Sequence, residues 1–170
     1  STMTQQVIIT VNRDSNERER IFNALEPFQS MFRIFQSETA AEADDEISNM
    51  VENEESLALV ICDESLPLDS GVSFLMKLDQ DSMTRKAHKL LIMHEPNFDT
   101  LVQAINQGKL DYCLIPPWNE EELASTLRQE LTDFVIDYAP EKLKYASILD
   151  HERILGHMHE GGLTSWDHHG

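Results

Sequence analysis

Short apolar, β-branched runs alternate along this chain with stretches whose apolar residues recur every three or four positions. Val7 to Val11 is the first such run and reads as a strand, and Asn12-Arg13-Asp14-Ser15-Asn16 follows as a loop rich in helix-capping residues. Ile21, Leu25 and Phe28, with Phe22 beside them, then share one helical face. Arg33 to Ser37 alternates as a second strand, and Ala40 to Val51 is an acidic amphipathic helix. Leu57 to Cys62 is six apolar residues in succession, too short for a core helix, and reads as a strand buried on both faces. Asp63 breaks that run abruptly, and Pro67 and Gly71 mark the loop beyond it.

After Gly71, residues Val72, Leu75 and Leu78, flanked by Phe74, predict a third helix, and Lys89 to Met93 a fourth strand. Phe98, Leu101, Val102 and Ile105 mark a fourth helix stopping at Gly108. Asp111 to Ile115 is a fifth strand ending in Pro116-Pro117, and Asn119 caps a fifth helix carrying Leu123, Leu127, Leu131 and Phe134. Five strands alternating with five helices predict an α/β fold with a doubly wound parallel sheet. Right-handed crossovers favour the strand order 2-1-3-4-5, which opens a crevice between the carboxyl ends of the first and third strands. Asn12, Arg13, Asp14 and Asp63 are expected around that crevice.

The segment Asp63-Glu64-Ser65-Leu66-Pro67 with Gly71, the spacing of the five strands, Ala104-Ile105-Asn106-Gln107-Gly108 and Tyr112 ahead of Ile115-Pro116 belong together. In that order they resemble the CheY-like receiver domains of two-component response regulators, over about Gln6 to Tyr138. The resemblance implies a flavodoxin-like fold with Asp63 as the phospho-acceptor position. Family members carry two adjacent acids after the first strand, which hold magnesium with the phospho-acceptor. Here those positions are Asn12 and Arg13, and Asp14 falls one residue late. The Ser or Thr that ends the fourth strand in the family is replaced by Met93 or His94, and both assignments stay open. The family's lysine before the proline of the fifth strand is Ile115, and Tyr112 stands at the switch aromatic. Pro116 is a candidate for following a cis bond, as such family prolines often do.

Magnesium takes hard oxygen ligands in near-octahedral geometry. Three carboxylates bring about −3 to a +2 ion, whereas Asp63 and Arg13 sum to about zero. Opposite charges about 4 Å apart at an effective dielectric near 20 attract by about 4 kcal/mol before desolvation. Arg13 is therefore expected to pair with Asp63 in the metal's place, the alternative being that it points to solvent. No cofactor is expected, Mg²⁺ entering only if Asp63 accepts phosphate after all.

Composition narrows the function classes. With 31 acids against 13 bases, the formal charge of −18 repels phosphate backbones, so nucleic acid is not an expected partner. No apolar run approaches the roughly 18 residues that cross a bilayer, and no signal-peptide pattern opens the chain. Cys62 and Cys113 lie in strand-like segments and read as buried thiols in a reducing compartment, which points to the cytoplasm.

Beyond the receiver-like segment, residues 139–170 form an extension that is either a linker to an effector or a dimerisation element. Pro140 suits a first helical turn, and Glu141 to about His157 reads as a helix ended by Gly161-Gly162. Leu143, Ala146, Leu149 and Ile154 lie roughly along one side, a stripe that must hide against its own domain or another chain. His151, His157, His159, His168 and His169 match no zinc-site spacing and read as a solvated, partly disordered tail.

The expectation is a degenerate receiver, not an enzyme, acting by protein contacts with a histidine kinase, effector domain or adaptor and as a homodimer. The contact face implied by the resemblance is the fourth helix, fifth strand and fifth helix. One alternative is a phospho-accepting receiver that uses Asp63 in a phosphorelay. A less favoured one is a small hydrolase on a flavodoxin-like fold, for which His94 is the only histidine near the rim and no Gly-rich phosphate loop follows the first strand.

Overall fold

A computed structural model describes the backbone of residues 4–107 and 109–169, and side chains within that range up to residue 160. Strands β1 (Gln6–Val11), β2 (Phe32–Ser37), β3 (Ser56–Asp63), β4 (His88–Ile92) and β5 (Tyr112–Leu114) form one parallel sheet. Their order is β2-β1-β3-β4-β5, the predicted 2-1-3-4-5. Between the strands run α1 (Ser15–Ala24), α2 (Ala40–Glu52), α3 (Gly71–Gln80) and α4 (Phe98–Gln107), and α5 (Glu120–Tyr138) follows β5. A last helix, α6, spans His151–His169.

Strand alternation sends successive side chains to opposite faces. Ile8, Leu59 and Ile61 join Ile21, Leu25, Phe28, Leu127 and Leu131 in one core under α1 and α5. Val7, Ile9, Val60 and Cys62 join Val72, Phe74 and Leu75 in the other, under α2 and α3. Both faces of the central strands are thereby covered, as the unbroken apolar run of β3 requires. Asn119 and Glu122 close the N-terminus of α5 with a reciprocal capping box, satisfying two otherwise orphaned N–H groups.

Three elements depart from the sequence reading. Most of the apolar stripe of α4 does not join the core, although Leu101 packs partly buried against it. Only Ala104 is fully buried there, while Phe98, Val102 and Ile105 face solvent. Gly108, expected to stop α4, lies outside the described residues.

The extension differs as well. Glu141 adopts a left-handed conformation (φ 54°), so Pro140 begins no α-helix, and a 3₁₀ turn over Lys142–Tyr145 follows. α6 begins only at His151 and its backbone passes through Gly161-Gly162, so the tail read as partly disordered is helical. The apolar stripe hides at home. Tyr145, Ala146, Leu149 and Ile154 are buried in the same core as Phe32 and Phe134, although Leu143 and Leu155 stay exposed. The ring of Tyr145 lies 5.3 Å from that of Phe32 on the sheet's outer strand, so the extension completes the layer over β2.

Finally, the cis peptide bond joins Pro116 and Pro117, one step beyond the Ile115–Pro116 bond expected. Among the described residues no helix is long and apolar enough to cross a membrane.

Candidate functional site

Asp63 ends β3 at the carboxyl edge of the sheet, with only 4% of its surface exposed. Glu64 turns the chain away. Its N–H donates to Ile92 of β4, its carbonyl accepts from Gly71 N–H, and its Oε1 accepts from Val72 N–H, each at 2.9 Å. The first N–H groups of α3 are thus satisfied by the residue next to Asp63, which fixes that strand end against the helix. A two-residue antiparallel ladder, Ser65–Leu66 against Asp69–Ser70, closes the loop between them.

On the adjacent strand, Asn12 is buried just past the end of β1. Its Nδ2 donates to Glu17 Oε1 at 2.7 Å and its Oδ1 accepts from the Asp14 N–H at 2.9 Å. Asp14 caps α1, its Oδ1 accepting from the N–H groups of Asn16 and Glu17 at 2.9 and 3.2 Å. The third contribution follows β4. Met93 is buried and donates its N–H to Leu114 of β5 at 3.1 Å, whereas the side chain of His94, the next residue, is 45% exposed over the crevice.

His94 joins the two acids. Its Nε2 lies 2.7 Å from Glu17 Oε2, and its Nδ1 lies 3.4 Å from Asp63 Oδ1. The second contact is an ion-pair distance without hydrogen-bond alignment, and Asp63 Oδ1 remains a buried oxygen with no hydrogen bond. Burial disfavours the imidazolium. The hydrogen bond to Glu17 and the charges of Glu17 and Asp63 outweigh it and raise the His94 pKa. Burial, helped by the Glu17 charge, raises the Asp63 pKa, while His94 and the N–H groups of Ser65 and Glu64 pull it down. These residues, with Arg13, Asp14, Ser65 and Glu95, line an open cleft of about 500 Å³.

The expected Arg13–Asp63 pair does not form. Arg13 is exposed at the rim and makes no ion pair among the described residues. Asn12 takes the buried position at the end of β1, so the next side chain projects toward water, and an imidazole already pairs with Asp63. Of Met93 and His94, only His94 touches the acids. Ile115 is exposed outside the cleft lining, and Tyr112 is a partly exposed edge residue.

Glu17 was missed. Asp14-x-x-Glu17 has the N-cap to third-residue spacing of a capping box, so the sequence marks Glu17 as a helix-start acid. Its carboxylate turns instead to Asn12 and His94. Among the described residues, one other His–carboxylate group occurs, His88 with Glu130 and Asp133, and neither group includes His151, His157 or His159. The side chains of His168 and His169 lie outside the described residues. Cys62 is fully buried, and Cys113 only partly so.

The donor set at the cleft is two carboxylate oxygens and one imidazole nitrogen. Magnesium favours an all-oxygen shell that retains several waters. These residues therefore do not match it.

No protein-family model and no curated protein sequence matches the chain. Solved structures do. A CheY-like response regulator receiver domain protein from Methanospirillum hungatei JF-1 is similar over 79% of this chain and 100% of its own, with TM-score 0.67 and 20% identity. The signal receiver domain of an HD domain-containing protein from Pseudomonas fluorescens Pf-5 is similar over 76% of this chain and 97% of its own, with TM-score 0.64 and 24% identity. A beryllofluoride-activated NtrC4 receiver domain dimer gives TM-score 0.63 and 19% identity, over 75% of this chain and 98% of its own. With its strand order, its crevice acid and these likenesses, the chain has the flavodoxin-like fold of CheY-like response-regulator receiver domains.

Proposed function

We propose that this chain is a receiver-type signalling module that works through protein contacts rather than through efficient phosphorylation of Asp63. One observation carries the reading: His94 lies between Glu17 and Asp63, where a phosphorylatable pocket needs room for a divalent ion and an incoming phosphoryl group. Asn12 supplies an amide in place of an acid, and among the described residues no lysine lines the cleft. Electrophilic assistance to phosphotransfer is thereby weakened on both sides of the acceptor.

The contact surface in this reading is the edge formed by α4 and β5. Phe98 is 78% exposed and Ile105 53%, with Val102, Tyr112 and Ile115 alongside. Apolar side chains grouped in this way mark interaction surfaces. Partners of the proposed kind are a second copy, an effector domain, an adaptor or a histidine kinase, met in the cytoplasm. The NtrC4 structure, itself a receiver dimer, supports the first of these. Residues 6–138 form the receiver unit in this reading, and 139–170 an extension that packs on it through Tyr145, Ala146, Leu149 and Ile154.

The test is incubation with acetyl phosphate, and separately with beryllofluoride, each with Mg²⁺. Intact mass and amide NMR are read around Asp63. The expected result is no stoichiometric adduct. Full modification at Asp63 replaces this reading with an ordinary phospho-accepting receiver.

A further inference from the structure

We infer that a concavity at the start of β4 binds the phosphate group of a small molecule through the buried Lys89 and the rim cations Arg85, Lys86 and Lys109. The site lies where β4 begins, at the sheet edge away from Asp63, and it stands whichever way Asp63 behaves. Its volume of about 550 Å³ is that of a small-molecule site. Charge picks out the place. On a chain with 31 acids against 13 bases, four of the bases line this one cavity, and none of the four makes an ion pair among the described residues. Elsewhere Arg33, Lys77 and Arg153 each meet a carboxylate. Asp79 and Asp111 also line the cavity, so its lysines and arginine outnumber its carboxylates two to one. Asp111 is already engaged. Its Oδ2 accepts from the Lys89 N–H at 2.8 Å, and its Oδ1 lies 3.9 Å from His88 Nδ1. Lys86 Nζ stands 5.4 Å from the centre of the Tyr138 ring, a contact that holds the ammonium without neutralising it.

The second observation is Lys89 itself, which is only 2% exposed. Its Nζ donates to the carbonyls of Arg85 and Ala87 at 3.1 and 3.0 Å, which places two of its three protons. Both carbonyls belong to residues that line the cavity, so the ammonium sits in its wall. A buried ammonium with no counterion is costly unless an anion completes it. Burial lowers the Lys89 pKa, Lys109 acts in the same sense, and Asp111 and Asp79 oppose them. Arginine forks and lysine point charges are the groups that hold phosphate oxygens. A nucleic-acid backbone would run out of this cavity onto a chain of charge −18, which repels it. A small dianion stays inside, screened from charges farther away than a Debye length of about 8 Å.

The experiment is an amide NMR titration of the full chain at constant ionic strength, with sodium phosphate in one arm, glycerol 3-phosphate in the other and NaCl as the reference. Saturable shifts at His88, Lys89 and Lys109, with one site per chain, are expected in at least one phosphate arm. Saturation by phosphate alone assigns the free ion, and tighter binding of the ester assigns an organic phosphate; either supports the site. K89M should weaken binding by roughly tenfold or more, as for a lost hydrogen bond to a charged group. The double variant R85Q/K86Q, changed only at exposed positions, should weaken it several-fold and decides the matter if K89M does not fold. K77Q, whose lysine pairs with Asp69 outside the cavity, should leave binding unchanged. Shifts that NaCl reproduces, shifts that do not saturate, or unchanged affinity in folded K89M or in R85Q/K86Q overturn the inference.

Discussion

Gly71 passes so close to Asp63 that a Cβ built on it would lie 2.5 Å from the Asp63 carbonyl oxygen. The same atom would stand 2.7 Å from Leu91 Cδ1 and 2.9 Å from Glu64 Cα. Two of these neighbours are backbone and cannot swing aside. The absence of a side chain is what lets α3 dock against the end of β3 and hold Asp63 at the sheet edge.

Gly71→Ala should therefore destabilise the protein by about 1–3 kcal/mol, the usual cost of overpacking a tight contact. Urea unfolding of the two proteins checks it. Shifts at Asp63 and Glu64 in amide NMR should accompany the loss, and an alanine variant as stable as the parent refutes the close approach.

Arg13→Ala should change stability by no more than about 0.5 kcal/mol, as for other exposed residues without partners. His94→Gln should cost roughly 0.5–1 kcal/mol near neutral pH, a value kept small by solvent screening of a half-exposed pair. Denaturant midpoints of both variants rank the two cations. The reverse ranking restores Arg13 as the partner of Asp63.

His88 offers a pH test away from the cleft. Its Nδ1 lies 3.1 Å from Glu130 Oε1 and 3.9 Å from Asp111 Oδ1, with Asp133 nearby and the Phe134 ring perpendicular to the imidazole. Burial opposes the charged ring, but these acids raise its pKa above the ordinary 6.5. A raised folded-state pKa stabilises fully below the unfolded value and fades as pH climbs through the folded one. A double-mutant cycle of H88Q and E130Q should give a coupling of about 1 kcal/mol near pH 5.5 and little near pH 9. Equal coupling at both pH values contradicts the ion pair.

Ile154 of α6 is completely buried against the main core. Ile154→Ala should lower unfolding stability by about 2–5 kcal/mol, the range for such core truncations. Urea unfolding at two protein concentrations is the check. A small effect, or one that appears only at the higher concentration, indicates that α6 is an intermolecular element.

Phe98 and Ile105 test the exposed edge. Replacing both with glutamate should move stability by no more than about 0.5 kcal/mol per site, since neither is packed. Any self-association seen by sedimentation velocity in the parent should fall. Large destabilisation shows instead that the α4 stripe is covered at home.

Much of the fold was legible because its signals are local. The β-branched run of β3, the cap at Asn119 and the spacing of Leu123, Leu127 and Leu131 each depend on residues a few positions apart. α4 and the extension misled for one reason. Periodicity shows that a helix has an apolar face, not which surface, if any, receives it. Phe98 and Ile105 face solvent, whereas Tyr145 packs against Phe32 of the outer strand β2.

The sequence by itself determined the alternating architecture, the strand order and the position of Asp63 at the crevice, because strand period, crossover handedness and chain direction allow few alternatives. It also placed Asn12 and Arg13 where the resemblance leads one to expect two acids. Only the tertiary structure decided what stands beside Asp63. Glu17 and His94 are separated by 77 positions and meet because parallel register brings the ends of β1, β3 and β4 to one edge. Once there, an imidazole with two nitrogens can serve two carboxylates, while Arg13, one residue beyond the buried Asn12, is left in water.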